Sequence, residues 1–143
     1  MITAIDTNVL LDVLLPNEKF CDASVPALET AASEGSLVIC DLVYAELCIH
    51  FNTQIECDSF LNANDIRIEP LTSEAHFAAS RVWRTYRKQG GLRSRILADF
   101  LIGAHAYTQA SRLLSRDRGF YRRPFPKTQL GRPERPVTGP PRP

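Results

Sequence analysis

The spacing of hydrophobic positions changes repeatedly along the chain between the pattern of strands and the pattern of helices. Short apolar runs predict strands at residues 1–5, 37–40, 66–69 and 112–115. Apolar residues at helical spacing predict helices between them, over residues 9–15, 23–34, 41–51, 53–61, 72–89 and 97–110. Parallel neighbouring strands need crossover connections, so this alternation predicts a three-layer α/β fold with a central parallel β-sheet flanked by helices.

Residues at the ends of the predicted helices are typical capping residues. Asp22 and Asp41 are predicted N-caps, and Thr72 or Ser73 is predicted to cap the long helix that follows, because short oxygen side chains accept the first N–H groups of a helix. Gly90 is predicted to end that long helix, since glycine reaches the backbone angles of a helix stop without strain.

The last part of the chain has a different composition. Residues 131–143 read GRPERPVTGPPRP, with five prolines and two glycines, a composition that is typical of segments without a packed core. The sequence therefore predicts one folded domain over residues 1–125 and a disordered, proline-rich tail over residues 126–143. No terminal strand is predicted after Arg123.

The overall composition fits one soluble domain. A chain of 143 residues with 44% hydrophobic residues can bury one core, and no apolar stretch approaches the roughly 18 residues of a membrane span. The N-terminus lacks the basic and apolar regions of a signal peptide, so we expect a cytoplasmic protein. The four cysteines, which have no CxxC spacing, are expected to be reduced thiols at positions Cys21, Cys40, Cys48 and Cys57.

Charge is distributed unevenly although the net charge is only +1. Residues 1–80 contain 13 acidic and two basic residues, whereas residues 81–143 contain 15 basic and three acidic ones. A chain of this kind could hold a cation with its first half and a polyanion with its second half. Two oppositely charged solvated surfaces would produce the same count, so charge alone does not decide between them.

Four acidic residues lie in or beside apolar segments: Asp6, Glu46, Asp99 and Asp117. Asp6 ends the first predicted strand and Asp117 follows the last one, and such strand ends form the ligand site of parallel sheets. Crowded, half-buried carboxylates repel one another unless a cation neutralises them. All-oxygen ligands suit Mg²⁺ or Mn²⁺. Purely structural roles remain open, as a turn residue for Asp6 and at a helix start for Asp99.

The segments that contain these acids read IDTNVLLD, LVYAEL, ADFLIGAHA and SRDRGFYRR. Together, and in this order, they resemble the four motifs of PIN-domain nucleases over residues 1 to about 125, and among these the VapC-type toxins of bacterial toxin–antitoxin pairs. The resemblance implies a PIN-like fold, metal-dependent endoribonuclease activity, homodimerisation and inhibition by a partner antitoxin.

The resemblance also assigns roles to single residues. It implies that Asp6, Glu46, Asp99 and Asp117 hold Mg²⁺ or Mn²⁺ and activate water, and that Asn8 and Ser115 support the acids through hydrogen bonds. Asp12 is instead expected to be a solvated helix residue.

Basic residues near the last acid are predicted to contact RNA phosphates. Arg116 and Arg118, which bracket Asp117, are the first candidates, and Arg93 and Arg95 follow from a run of basic residues that contains no acid. Further candidates beside Asp117 are Arg112, Arg122, Arg123 and Lys127. Phe120 and Tyr121 could stack a base, although packing is the more common role of such a pair.

Three alternatives remain beside a metal-dependent ribonuclease. A metal-free enzyme driven by histidine is disfavoured, because His50, His76 and His105 are far apart in the sequence. An aspartyl-phosphate phosphatase would need a second aspartate at the position of Asn8. The rival from another class is a non-catalytic RNA- or protein-binding module with a cation in its acidic pocket.

Overall fold

The structure, a computed structural model, describes residues 1–15, 21–91, 97–122, 124–125 and 129–131. Five strands and seven helices lie within these ranges. The strands are β1 (Ile2–Ile5), β2 (Ser36–Ile39), β3 (Ile66–Ile68), β4 (Arg112–Leu114) and β5 (Gln129–Gly131). The helices are α1 (Thr7–Leu14), α2 (Cys21–Glu34), α3 (Asp41–Cys48), α4 (Gln54–Ala63), α5 (Ser73–Lys88), α6 (Leu97–Gln109) and α7 (Arg118–Arg122).

The five strands form one sheet in the order β3-β2-β1-β4-β5, and every neighbouring pair is parallel. The chain builds outwards from β1 through β2 to β3, and then continues on the other side of β1 with β4 and β5. In the centre, Ala4 is in register with Val38 of β2 and Leu113 of β4. The predicted parallel sheet flanked by helices is confirmed, and the strand order changes direction between β1 and β4, the usual place for a ligand site.

The absence of a terminal strand after Arg123 was a wrong prediction. Gln129–Gly131 forms β5 and pairs with β4, with Leu130 in register with Leu113. A strand of three residues has too few apolar positions to show a pattern in the sequence, and it forms here because the edge of β4 offers unpaired backbone groups. Gln129–Gly131, which was predicted to lie in the tail, therefore belongs to the sheet. Residues 132–143 lie outside the described part of the chain.

The ends of α5 agree with the sequence. Thr72 is its N-cap, and its hydroxyl accepts a hydrogen bond from the Ala75 N–H at 3.2 Å. Beyond the last turn Gly90 has a φ of 81°, and the Gly91 N–H donates to the Tyr86 carbonyl at 2.9 Å. Glycine is needed at position 90 because side chains rarely adopt this conformation.

The predicted caps of two other helices were wrong. Helix α2 begins at Cys21, so that Asp22 lies in its first turn. Helix α3 has Cys40 as its N-cap, without a side-chain hydrogen bond. The Asp41 carboxylate instead accepts a hydrogen bond from the Leu71 N–H at 3.2 Å, and this contact links the start of α3 to the segment after β3.

The hydrophobic core lies between the central strands and the helices that cover them. Its most deeply buried members from strands and helices include Ile5, Val38, Ile39, Leu113, Val9, Leu10, Val43, Leu47 and Phe100. Trp83 of α5 packs edge-on against Phe100, with ring centroids 5.2 Å apart, so this tryptophan belongs to the packing. Among the described residues, no helix combines the length and the apolar character that crossing a membrane requires.

Candidate functional site

Asp6 lies at the carboxyl end of β1, where the strand order changes. Its backbone N–H donates to the Leu114 carbonyl at 2.9 Å, which fixes it beside the end of β4. Its Oδ1 accepts a hydrogen bond from the Thr7 N–H at 2.8 Å and so caps α1. Because only 6% of its surface is exposed, Asp6 is a buried acid held between two central strands and a helix.

The second carboxylate oxygen of Asp6 accepts three side-chain hydrogen bonds. Ser115 donates to Oδ2 at 2.7 Å, Tyr121 at 3.1 Å and Asn8 at 3.4 Å. The structure thus brings Asn8 and Ser115, the two predicted supporting residues, onto Asp6. Three donors from separate segments fix the orientation of the carboxylate.

Tyr121 is a member of this site that the sequence pattern did not indicate. It lies in α7, only 2% of it is exposed, and its hydroxyl points at Asp6. The sequence offered only a pair of neighbouring aromatic residues, for which packing or base stacking was expected. The contact to Asp6 spans 115 positions, so no local pattern could have revealed it.

The environment of Asp6 disfavours its charge. Burial raises the pKa of the Asp6 carboxyl above its ordinary value, while the hydrogen bonds from Ser115, Tyr121 and the Thr7 N–H lower it. The nearby charge of Asp99 raises it further. A cation bound here would favour the ionised carboxylate, since an opposite charge acts against burial.

Glu46 of α3 and Asp99 of α6 lie close to Asp6. Glu46 is half-buried, and its pKa is raised first by burial and then by the charges of Asp6 and Asp99. The Thr7 side chain acts in the opposite direction on Glu46. The carboxylates of Asp6, Glu46 and Asp99 therefore repel one another at this end of the sheet.

Asp117 lies in the loop between β4 and α7. Its N–H donates to the Ser115 hydroxyl at 2.9 Å, and its carbonyl accepts the Phe120 and Tyr121 N–H groups at 3.2 and 3.4 Å. Burial raises the pKa of Tyr121, and the charges of Asp6, Asp99 and Asp117 raise it further. All four acids singled out in the sequence therefore lie around the carboxyl ends of β1 and β4; we call them the acid cluster.

The acid cluster has the chemistry of a hard-cation site. Its carboxylate oxygens are the ligands that Mg²⁺ and Mn²⁺ prefer, and the raised pKa values of Asp6 and Glu46 show that added positive charge would be favourable. As the described side chains stand, no group of three Asp, Glu, His or Cys converges on one ion position, so coordination would require side-chain movements.

Gly103 permits the close approach of α6 to the aromatic residues beside the cluster. A Cβ at position 103 would lie 2.4 Å from Phe125 Cε2 and 3.0 Å from Tyr121 Cδ1, which is too close for carbon atoms that do not move. The position of Tyr121, and through it the hydrogen bond to Asp6, depends on this glycine.

Asp12 was predicted to be a solvated residue, and this prediction was wrong. Only 3% of it is exposed, and its Oδ2 lies 2.8 Å from Nε of Arg116. The helical pattern gave no sign of this burial because the cationic partner lies 104 positions later in the sequence. Arg116, a predicted RNA contact, is thus held in an ion pair with its side chain 32% exposed.

The structure describes only some of the other predicted RNA contacts. Arg112 was wrongly grouped with them, because it begins β4 at the opposite end of the sheet, where its Nη2 lies 2.6 Å from Glu34 Oε2. Arg118 belongs to α7, but its side chain is outside the described part. The remaining candidates outside the described residues are Arg93, Arg95, Arg123 and Lys127.

One of the three histidines is buried and the other two are exposed. His105 is 1% exposed, its Nε2 lies 3.5 Å from Glu69 Oε1, and burial lowers its pKa. His50 and His76 are exposed. This burial agrees with a core position for His105 and surface positions for His50 and His76.

Comparisons with known proteins point to one family. Residues 3–126 match the PIN domain family. No curated protein has significant similarity to the chain. Among solved structures, VapBC2 of Rickettsia felis bound to a promoter DNA fragment is similar with a TM-score of 0.72 and 21% identity, over 94% of this chain and 100% of that one.

Two further solved structures show the same likeness. VapBC-1 of nontypeable Haemophilus influenzae has a TM-score of 0.70 and 17% identity, over 92% of this chain and 98% of that one. FitAcB of Neisseria gonorrhoeae has a TM-score of 0.65 and 20% identity, over 93% of this chain and 98% of that one. At these identities the likeness shows a common fold.

Proposed function

We propose that this chain, which belongs to the PIN domain family, is a Mg²⁺- or Mn²⁺-dependent endoribonuclease and the toxin of a toxin–antitoxin pair. The observation that carries the proposal is the placement of Asp6. It is a buried carboxylate that neutral donors orient, with a pKa raised by burial and by the nearby charge of Asp99, at the change in strand order. An arrangement of this kind costs stability unless it serves a ligand.

Asp6, Glu46, Asp99 and Asp117 would hold the metal. When bound, a divalent ion supplies activation of water for attack on phosphorus and stabilisation of the charge that develops there. The donor set supports this assignment because it consists of oxygen atoms alone.

The other residues of the site would orient the acids and the RNA. Ser115, Tyr121 and Asn8 hold Oδ2 of Asp6, so that this carboxylate does not reorient when substrate binds. Arg116 would present positive charge to the RNA backbone. Arg118, Arg93 and Arg95 remain predicted phosphate contacts, because arginines beside acidic ligands balance the repulsion between the site and RNA.

A partner antitoxin and a second copy of the chain complete the proposal. The named structural neighbours are VapBC and FitAcB complexes, which supports a protein partner for this chain as well. Large apolar side chains on its surface agree with partner binding, in particular Ile49 and Ile55, each 78% exposed, and Phe77, 64% exposed.

A non-catalytic binding module is the second candidate. It is favoured by the side-chain positions in the acid cluster, where no three ligands converge among the described residues. In that case the acids would bind a structural cation or the basic side chains of a partner. The two candidates differ in whether RNA is cut.

The test is cleavage of a mixed RNA substrate by purified protein, followed by mapping of the new RNA ends. We expect cleavage with Mg²⁺ or Mn²⁺ and none with EDTA. Asp6→Asn and Asp99→Asn should lower the rate by more than the roughly 10–100-fold loss that is typical when a residue orienting a metal ligand is removed. Asp65→Asn is the matched control, since Asp65 is exposed at the start of β3.

Circular dichroism of each variant keeps a loss of folding apart from a loss of chemistry. If Asp99→Asn cuts at the wild-type rate, the mechanism based on the acid cluster is wrong. If no variant or wild-type protein cuts RNA but the protein still binds it, the non-catalytic module is the correct reading.

A further inference from the structure

A buried ionic contact joins three segments next to the acid cluster. Asp12 in α1 accepts a hydrogen bond at Oδ2 from the hydroxyl of Ser24 in α2, at 2.7 Å. The same oxygen lies 2.8 Å from Nε of Arg116, in the loop after β4. Asp12 and Ser24 are 3% and 0% exposed, so the carboxylate is bound entirely inside the protein.

Stability alone gives a weak reason for this contact. Burying the charge of Asp12 costs about as much as its attraction to Arg116 returns, and apolar residues of similar volume are often equally stable or better. Leu10 and Val9 show that the same helix buries apolar side chains without difficulty. A charged residue at position 12 is therefore better explained by what it does to Arg116.

Arg116 is held next to the acids through its backbone as well. Its N–H donates to Oδ1 of Asn8 at 3.2 Å, and Asn8 in turn donates from Nδ2 to Asp6. Its two sequence neighbours are Ser115, which donates to Asp6, and Asp117 of the acid cluster. With 32% of its side chain exposed, Arg116 places a cation at the surface beside the cluster.

We propose that Asp12 is a positioning residue that holds the Arg116 guanidinium beside the acid cluster, where it binds a phosphate of the RNA chain next to the one that is cut. The inference rests on the proposed nuclease function. A guanidinium is a planar, rigid group, so its ion pair with the Asp12 carboxylate limits where the whole group can lie. The hydrogen bond from Ser24 in turn fixes the orientation of the Asp12 carboxylate.

The closing experiment compares two carboxylate–arginine pairs that flank the same strand. Asp12→Asn removes the charge that faces Arg116 and keeps the side-chain size. The matched control is Glu34→Gln, which removes the carboxylate that faces Arg112 at the opposite end of β4. For each protein, kcat and KM are measured on one short RNA with Mg²⁺ over a range of salt concentrations.

We expect Asp12→Asn to raise KM about tenfold, the change that corresponds to about 1.4 kcal/mol, with a much smaller effect on kcat. Its KM should also rise less steeply with salt, because a phosphate contact has been weakened. Glu34→Gln should leave kcat, KM and the salt dependence unchanged. Ser24→Ala, which removes one hydrogen bond and no charge, should raise KM by less than Asp12→Asn.

A double-mutant comparison separates positioning from a structural role. Arg116→Met should raise KM and lower stability, since it leaves the Asp12 carboxylate buried without its cation. Adding Asp12→Asn to that protein should recover stability but leave KM where it is, because the two residues act through one contact.

Wild-type KM in both Asp12→Asn and Ser24→Ala would overturn the inference, as would a further rise in KM when Asp12→Asn is added to Arg116→Met. If Asp12→Asn does not fold, Ser24→Ala and the double variant give the decision. If wild-type protein does not cut RNA at all, the proposed nuclease function fails instead, so the two failures are distinguishable.

Discussion

At the amino end of the sheet Arg112 is paired with Glu34 at 2.6 Å and donates from Nε to Thr3 at 2.8 Å. At the carboxyl end the buried Asp6 receives its hydrogen bonds, among the described residues, from neutral groups only. The charge of Arg112 is thus balanced within the protein. The described groups that donate to Asp6 orient its carboxylate, but they are neutral and do not balance its charge.

This difference indicates the end of the sheet at which a bound cation would be favourable. A groove of about 480 Å³ opens at the amino end, and its lining includes Ser36, Asn62 and Arg67 but none of the acids of the cluster. The presence of a groove therefore does not by itself mark the end of the sheet where the acids lie. The electrostatics point to the carboxyl end, because raised carboxyl pKa values mark a place where added positive charge is favourable.

The largest loss of stability is expected from a substitution at the amino end of the sheet. A Cβ at Gly35 would lie 1.8 Å from the Met1 carbonyl oxygen, which accepts the Ser36 N–H at 2.9 Å and begins the pairing of β1 with β2. Because backbone atoms cannot rotate away, Gly35→Ala should lower the free energy of unfolding by about 3 kcal/mol, the upper end for overpacking. Urea unfolding measures this loss.

The same variant should leave RNA cleavage per folded molecule unchanged, since the clash lies far from the acid cluster. Ser36→Ala is the control for a substitution without a clash, and its effect should stay within about 0.5 kcal/mol. An unfolding free energy equal to wild type in Gly35→Ala would show that the first strand pair can shift at no cost.

A smaller loss of stability, together with a loss of cleavage, is expected at the carboxyl end. Gly103→Ala would press on the rings of Phe125 and Tyr121, and we expect about 1–3 kcal/mol of destabilisation. Displacement of Tyr121 removes a donor from Asp6, so cleavage per folded molecule should fall roughly 10–100-fold. Urea unfolding and a cleavage assay at matched folded fraction measure both quantities.

The matched variant Tyr121→Phe removes the hydroxyl and keeps the ring. It should reproduce the loss of cleavage with less destabilisation than Gly103→Ala. Wild-type cleavage in both variants would mean that the third donor to Asp6 has no part in the chemistry.

The smallest expected effect is a change with pH in the stability that Asp6 contributes. The raised pKa of Asp6 means that, without metal, the folded protein binds its proton more tightly than the unfolded chain does. The stability that this group contributes is fully present below its ordinary pKa and is lost as pH rises through the raised value. The stability of wild type relative to Asp6→Asn should therefore fall as pH rises from the acid range to neutral.

Urea unfolding in EDTA at several pH values measures this difference, with Asp65→Asn as the control for removing an exposed charge. Mg²⁺ added at neutral pH should stabilise wild type more than Asp6→Asn. A relative stability that rises with pH would contradict burial as the dominant influence on Asp6.

Sequence and structure agree where the physics is local. Thr72 and Gly90 delimit α5 in both, because capping oxygens and left-handed glycines act within a few residues. The predicted positions of the first four strands differ from the observed ones by at most one residue at either end. The short edge strand β5 escaped prediction because three residues carry no periodicity.

The site was predictable in part. Asp6 and Asp117 were found because they follow apolar strands, and such strand ends meet at one edge of a parallel sheet. Asp12 was misjudged because a helical pattern shows that a polar position exists but not what faces it. Tyr121 was overlooked since its partner Asp6 is in the first strand.

By itself, the sequence determined the alternation of strands and helices, and with it a parallel sheet whose acids collect at one end. Only the tertiary structure decided that β4 lies beside β1, and this placement brings Ser115 and Tyr121 onto Asp6 and Arg116 onto Asp12. The physical reason is the range of the forces concerned. Periodicity and capping act between close neighbours in the chain, whereas the partner of a buried charge is chosen by strand order and by contacts across more than 100 residues.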